Sequence, residues 1–138
     1  MMTDFKQQMT KAGLDNISGL GLAYVGDGVY ELMVRTLLVK SGKCTAAALH
    51  KASMDFVRAP KQAELMERLI PILTEEETAV YKRGRNSKVN SIPKTATPAE
   101  YHSATGMEAL WGWLYLTGQN ERLEELFKII TEGSEYAT

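Results

Sequence analysis

The sequence predicts an all-α single domain of six or seven helices. Three observations carry that expectation. Apolar residues recur at helical spacing along most of the chain, N-cap signals open one segment after another, and nothing alternates with a period of two over a useful length. At 138 residues, 44% apolar and 24% charged, the chain is long enough to bury a core without staples. Residues 1–138 read as one unit, with no internal repeat or low-complexity tract.

The elements follow in order. A long first helix starts after Asn16 or Ser18, runs to about Lys40 and is stopped by Ser41 and Gly42. Leu22, Val25, Val29, Leu32, Met33 and Leu37 mark its expected core face. Thr45 caps a second helix that carries Ala48, Leu49 and Ala52 and continues to about Phe56. A third segment, from Lys61 to Leu69, presents Ala63, Leu65, Met66 and Leu69 before Pro71. Thr74 and Glu77 have capping-box spacing and open a fourth helix through Val80 and Tyr81. Thr97 and Glu100 repeat that spacing, with Pro98 at the favoured first helical position, and their helix runs to Leu116 or Thr117 before Gly118. Asn120 is the expected cap of the last helix, which carries Leu123, Leu126, Ile129 and Ile130 and stops at Gly133. One long irregular stretch remains, at roughly 84–97.

Composition narrows the setting. Cys44 is the single cysteine, so no internal disulfide forms, and no Cys/His cluster has zinc spacing; a reducing cytoplasmic environment fits. The first eight residues hold no apolar run of signal-peptide type, and no uncharged stretch is long enough to span a bilayer, so no membrane partner is expected. The net charge of −1 hides an asymmetry: residues 35–94 carry twelve Lys/Arg against six Asp/Glu, and residues 95–138 carry two against seven. A basic middle points to a local polyanion-facing surface, or to a solvated charged face.

Two lone carboxylates stand out against this background. Asp27 sits in Leu20–Gly–Leu–Ala–Tyr–Val–Gly–Asp27–Gly–Val–Tyr30, and Glu108 is the only charge between Glu100 and Glu121. Both stretches are apolar nearly all round, so their helices should be buried, and a carboxylate there is costly unless paired, hydrogen-bonded or metal-bound. Gly19, Gly21, Gly26 and Gly28 surround Asp27, each costing about 1 kcal/mol in a helix relative to alanine. They admit another backbone, a metal–water cluster or a phosphate; tight helix packing explains them equally well. Glu31 shares a face with Asp27 and can support it or pair with Arg35, and the pairing is the preferred reading. Thr105, one turn before Glu108, can offer its hydroxyl to the same site. A structural role for Glu108, paired with a buried Arg or Tyr, remains the rival. Trp111, Trp113 and Tyr115 read as core or subunit interface.

Residues 82–94 hold five basic residues and no acid: Lys82, Arg83, Arg85, Lys88 and Lys94, together with Asn86. Cationic forks, amide donors and a flexible backbone suit phosphate contacts, and the absence of aromatic residues favours duplex backbone reading over base stacking. Arg58 and Lys61 could extend this surface, with Lys40, Lys43 and Lys51. An ordinary basic loop is the plainer reading. His50, His102 and Ser103 form no catalytic triad, there is no P-loop, and no Glu-x-x-His pair signals a di-iron bundle.

Leu22–Ala–Tyr–Val–Gly–Asp27–Gly–Val–Tyr–Glu31 resembles the signature helix of ribonuclease III catalytic domains, whose core reads Glu–Phe–Leu–Gly–Asp. Thr105–Gly–Met–Glu108–Ala–Leu–Trp–Gly resembles the second acidic helix of that family, commonly Asp–x–x–Glu–Ala–Leu–x–Gly. Lys82–Arg–Gly–Arg–Asn86 resembles a segment of the Mini-ribonuclease III branch, which lacks a separate double-stranded RNA-binding domain. The resemblance spans essentially residues 18–133. It departs at two places: Ala23 stands where the family has glutamate, and Thr105 where it has aspartate.

The resemblance implies a ribonuclease III-like helical bundle and a homodimer meeting through the Asp27 helix. It implies Asp27 and Glu108 as catalytic residues holding Mg²⁺ or, in its place, Mn²⁺, and 5′-phosphate and 3′-hydroxyl products. The implied substrate is a double-stranded precursor of large-subunit (23S) ribosomal RNA, with the need for a ribosomal protein helper left open. Two rivals stand beside this: a non-catalytic RNA-binding or ribosome-associated module of the same fold, and a plain helical interaction protein.

Overall fold

The structure, a computed structural model, describes residues 9–43 and 45–136; Cys44 and the eight N-terminal residues read for targeting signals lie outside the described residues. The chain forms α1 (Lys11–Asp15), α2 (Gly19–Lys40), α3 (Ala46–Val57), α4 (Ala59–Leu69), a 3-10 turn (Ile70–Ile72), α5 (Glu75–Arg85), α6 (Pro98–Leu116) and α7 (Asn120–Thr131), with no strand among the described residues. None of these helices is long and apolar enough to cross a membrane.

The helix starts follow side-chain chemistry. Ser18 Oγ accepts from Gly21 N at 2.9 Å, and Thr45 Oγ1 from Ala48 N at 3.1 Å. Both capping boxes close: the N–H of Thr74 donates to Glu77 and that of Thr97 to Glu100, each at 2.9 Å, with the reciprocal bonds in place. Three starts differ from the sequence reading: α4 opens at Ala59, two residues before Lys61, and α1 and α7 depart as well. The five residues of α1, capped by Thr10, are too few to leave a periodic pattern. At α7 the cap position belongs to Gln119, and Asn120 is the first helical residue. Gly118 takes φ +72°, and Gln119 N–H bonds back to the Leu114 carbonyl at 2.9 Å. That backbone closure brings the chain into α7 without a side-chain cap.

Helix α6 is the axis of the molecule, with Met107, Leu110, Trp111 and Leu114 wholly buried, and α2, α4, α5 and α7 pack around it. The α2–α6 crossing has no side chain between the backbones. A Cβ on Gly26 would overlap the Glu108 carbonyl, and one on Gly112 would overlap the Leu22 carbonyl. At the α5–α6 crossing, a Cβ on Gly84 would come within 2.6 Å of Ala109 Cβ.

Close approach at Gly26 rotates α2 from the orientation its larger residues suggest. The buried stripe is Leu22, Ala23, Gly26, Tyr30, Val34 and Leu38, whereas Val25, Val29, Met33 and Leu37 flank it half-buried and Leu32 is 68% exposed. The helix is apolar nearly all round, so periodicity could not choose the face. Small residues at the contact and a partner for the Tyr30 hydroxyl, which donates to the Phe56 carbonyl at 2.9 Å, decide it. One side of α2 is consequently open, not buried as its hydropathy implied.

A second tie joins α5 to α7. Glu77, 2% exposed, takes a two-pronged ion pair from Arg122: Nε to Oε2 at 2.8 Å and Nη2 to Oε1 at 2.9 Å. Burial pushes the Glu77 carboxyl up, but the Arg122 and Thr74 hydrogen bonds prevail and hold it below its ordinary value. The capping glutamate is thereby also a tertiary clasp. Gly26→Ala and Gly112→Ala should each lower unfolding stability by about 3 kcal/mol or more, the upper end for overpacking, because the obstacle is backbone. Denaturant melts check this, and midpoints equal to wild type would contradict the crossing.

Candidate active site

The α2–α6 crossing brings Asp27 and Glu108 together. Asp27 is one residue past the contact glycine and is exposed, while Glu108, whose own carbonyl meets Gly26, is half-buried. The Glu108 carboxyl donates to Asp27 and is pushed up to about 8. Burial is the largest cause, followed by the Asp27 charge and hydrogen bond; Glu31 acts in the same direction and a Gln62 hydrogen bond against it. The charged neighbours acting on Glu108 here, Asp27 and Glu31, are both acidic. Glu31 also pairs with Arg35 at 3.6 Å, a mostly exposed contact.

The floor of the site is rigid. Tyr30 stacks on Trp111, with centroids 5.9 Å apart and planes within 3°. Its hydroxyl and the Gln62 amide close the end of α3, since Tyr30 bonds the Phe56 carbonyl and Gln62 Nε2 donates to the Val57 carbonyl at 2.8 Å. Gln62 is 2% exposed, and its Oε1 has no hydrogen-bond partner. The sequence reading did not include Gln62. Its available signal was a polar residue on the face of α4 that carries Leu65, Met66 and Leu69.

The other sequence candidates divide. Thr105 is buried, and its hydroxyl donates to the Tyr101 carbonyl at 2.9 Å, so its proton is already committed. Ala23 packs with Leu14, Leu22, Val80 and Ala109, so the position where family members carry an acid is part of the core here. Lys82, Arg83 and Arg85 lie within α5, not in a loop, and Arg85 lies over the Tyr81 ring at 5.6 Å and bonds Asn86 at 3.3 Å. The irregular stretch that follows carries Lys88 and Lys94, both exposed. Gly84 seats this basic turn against Thr105, Gly106 and Ala109, the residues around Glu108. Arg58 and Lys61 flank the α3–α4 corner, Arg58 bonding the Met54 carbonyl at 3.2 Å and Lys61 pairing with Glu64 at 3.5 Å. Trp111 is core, and Trp113 is half-buried.

Two carboxylates held together against their repulsion, beside an unpartnered amide oxygen, suit a hard divalent cation. Among the described residues no group of three or more His, Cys, Asp or Glu side chains is placed for a metal ion. The protein's share of such a site is therefore sparse. Without metal, the folded state keeps a proton on Glu108 that the unfolded chain releases near its ordinary value of 4.5. This stabilising contribution is complete below about 4.5 and is lost as pH rises towards about 8. Glu108→Gln should remove that fall and, in chelator at pH 8, exceed wild-type stability by on the order of 1–3 kcal/mol. Urea titrations at pH 5 and 8 test this; parallel pH slopes for both proteins would refute it.

Residues 20–119 match the Ribonuclease III domain family. The chain is 42% identical to a Mini-ribonuclease 3 of Clostridium tetani over 90% of this chain and 83% of that protein. It is 45% identical to that of Enterococcus faecalis over 91% and 89%, and 48% identical to that of Symbiobacterium thermophilum over 79% and 84%. A crystal structure of a Fusobacterium nucleatum protein superposes with a TM-score of 0.81 at 31% identity, covering 88% of this chain and 93% of that one. With the fold, the paired carboxylates and these similarities in agreement, the chain belongs to the ribonuclease III family of endoribonucleases, in its Mini-ribonuclease 3 branch.

Proposed function

We propose that this chain is a divalent-metal-dependent endoribonuclease that cuts double-stranded RNA, with the ends of the large-subunit (23S) ribosomal RNA precursor as its substrate. The carrying observation is the convergence of Asp27 and Glu108, with Glu108 pushed up by burial and by the Asp27 charge beside it. Mg²⁺, or Mn²⁺ in its place, would be held by these two carboxylates; when bound it lowers the pKa of a coordinated water and offsets charge developing on the scissile phosphodiester. Glu108 gives up its proton to become a ligand. Asp27 is exposed, which leaves the site accessible to a phosphate backbone.

The basic turn of α5 with Lys82, Arg83 and Arg85, followed by Asn86, Lys88 and Lys94, supplies phosphate contacts beside the site, with Arg58 and Lys61 at the α3–α4 corner adding to them. Such contacts read duplex geometry rather than bases. Cleavage leaves 5′-phosphate and 3′-hydroxyl ends, in the cytoplasm. The test is cleavage of a duplex RNA with Mg²⁺ or Mn²⁺. Wild type should cut, and Asp27→Asn and Glu108→Gln should each lose about a hundredfold or more in rate. An intact duplex with wild type, or undiminished cutting by Asp27→Asn, would reject the reading.

Part of the same proposal is a homodimer, which the open side of α2 supports. Leu20, Tyr24, Leu32 and Val39 are 42%, 85%, 68% and 60% exposed along one side of the helix, and a Cβ on Gly28 would meet nothing within 4 Å. A second copy covering this stripe removes an apolar surface that is costly in water and gives each strand of a duplex its own site. Tyr24→Glu combined with Leu32→Glu should shift the protein from dimer to monomer in light scattering and abolish duplex cutting. A dimer persisting in that variant would place the interface elsewhere.

A further inference from the structure

Gln62 reaches Glu108 from α4, and its two ends are satisfied unequally. Nε2 donates to the Val57 carbonyl, and the Gln62 hydrogen bond to Glu108 favours the charged form of that carboxyl, as an N–H donor does. Nε2 carries two N–H groups and can serve both. Oε1 is then left buried and without a partner, in a residue 2% exposed. Buried amide oxygens are ordinarily satisfied, and one that is not calls for a missing donor or cation. The anchor is stiff, because Val57 is the last residue of α3 and Gln62 sits in the second turn of α4, across the short corner at Arg58.

We propose that Gln62 is an uncharged third member of the metal site: Nε2 positions Glu108, and Oε1 completes the oxygen shell around the cation, directly or by accepting from one of its waters. This rests on the metal-dependent reading above and adds a residue to it. An amide oxygen is a hard ligand suited to Mg²⁺ or Mn²⁺ and adds no charge to a place already crowded by Asp27, Glu108 and Glu31. With Ala23 and Thr105 committed to packing and to a backbone carbonyl, a neutral oxygen from α4 supplies what those positions do not.

The test is Mn²⁺ binding to the RNA-free protein, read from the electron paramagnetic resonance signal of free Mn²⁺, with melting in chelator as a separate measure of folding. Gln62→Met keeps the length and removes both polar ends. It should weaken Mn²⁺ binding by about tenfold or more in the folded protein. Gln62→Glu restores an oxygen and adds charge, and should bind Mn²⁺ at least as tightly as wild type. If Gln62→Met lowers the melting temperature but binds Mn²⁺ like wild type, Gln62 is only a helix-corner anchor and the inference fails. If Gln62→Met does not fold, Gln62→Glu decides: retained or tighter binding supports the assignment, and weaker binding overturns it. Asp27→Asn separates the two levels. Loss of Mn²⁺ binding there with retention in Gln62→Met rejects Gln62 alone, whereas retention in both rejects the metal site itself.

Discussion

The backbone contact between α2 and α6 is the constraint on which the rest depends. Where Gly26 and Gly112 meet the opposing helix there is no room for a methyl group, so the approach is set by main chain and not by adaptable side chains. Asp27 follows Gly26 directly, and Glu108 is the residue whose carbonyl Gly26 touches. The separation of the two carboxylates is thus inherited from the closest packing in the molecule. A site on rigid elements holds its geometry better than one on loops. The glycines that looked costly along the sequence are what makes this contact.

Around the contact, the fold satisfies its backbone with residues that also shape the site. Tyr30 and Gln62 occupy successive carbonyls at the end of α3, and both border Glu108. Tyr30 is further pinned by the Trp111 ring, and burial together with the Glu108 charge pushes its hydroxyl above the ordinary tyrosine value, keeping it neutral. The remaining strain is electrostatic. Glu108, pushed up to about 8, holds a proton at neutral pH.

The order of α2 to α7 and the caps of α2, α3, α5 and α6 were legible because they depend on local chemistry. Ser18, Thr45 and the two capping boxes act within three residues of themselves. The pairing of Asp27 with Glu108 was legible only through their shared oddity, a charge in an apolar run, and through the family resemblance. The buried face of α2 was not, since a helix apolar on every side carries no phase; Gly26 and the Tyr30 hydroxyl set it through partners on other helices. Gln62 was hidden for the same reason. An unpartnered Oε1 is a property of the assembled corner, and glutamine in a sequence looks like any surface residue. The Arg122 clasp on Glu77 likewise needs a contact across 45 positions.

Asp27 and Glu108 are about 80 residues apart in sequence, and so are the two sides of the glycine contact. During synthesis α2 emerges long before α6 exists, with apolar residues around its whole circumference and nothing to lie against. Closing so long a loop carries an entropic cost that only the completed packing offsets. The chain therefore spends its early life with a long apolar helix uncovered. The pair of Asp27 and Glu108 comes together only once the residues around Gly112 have left the ribosome.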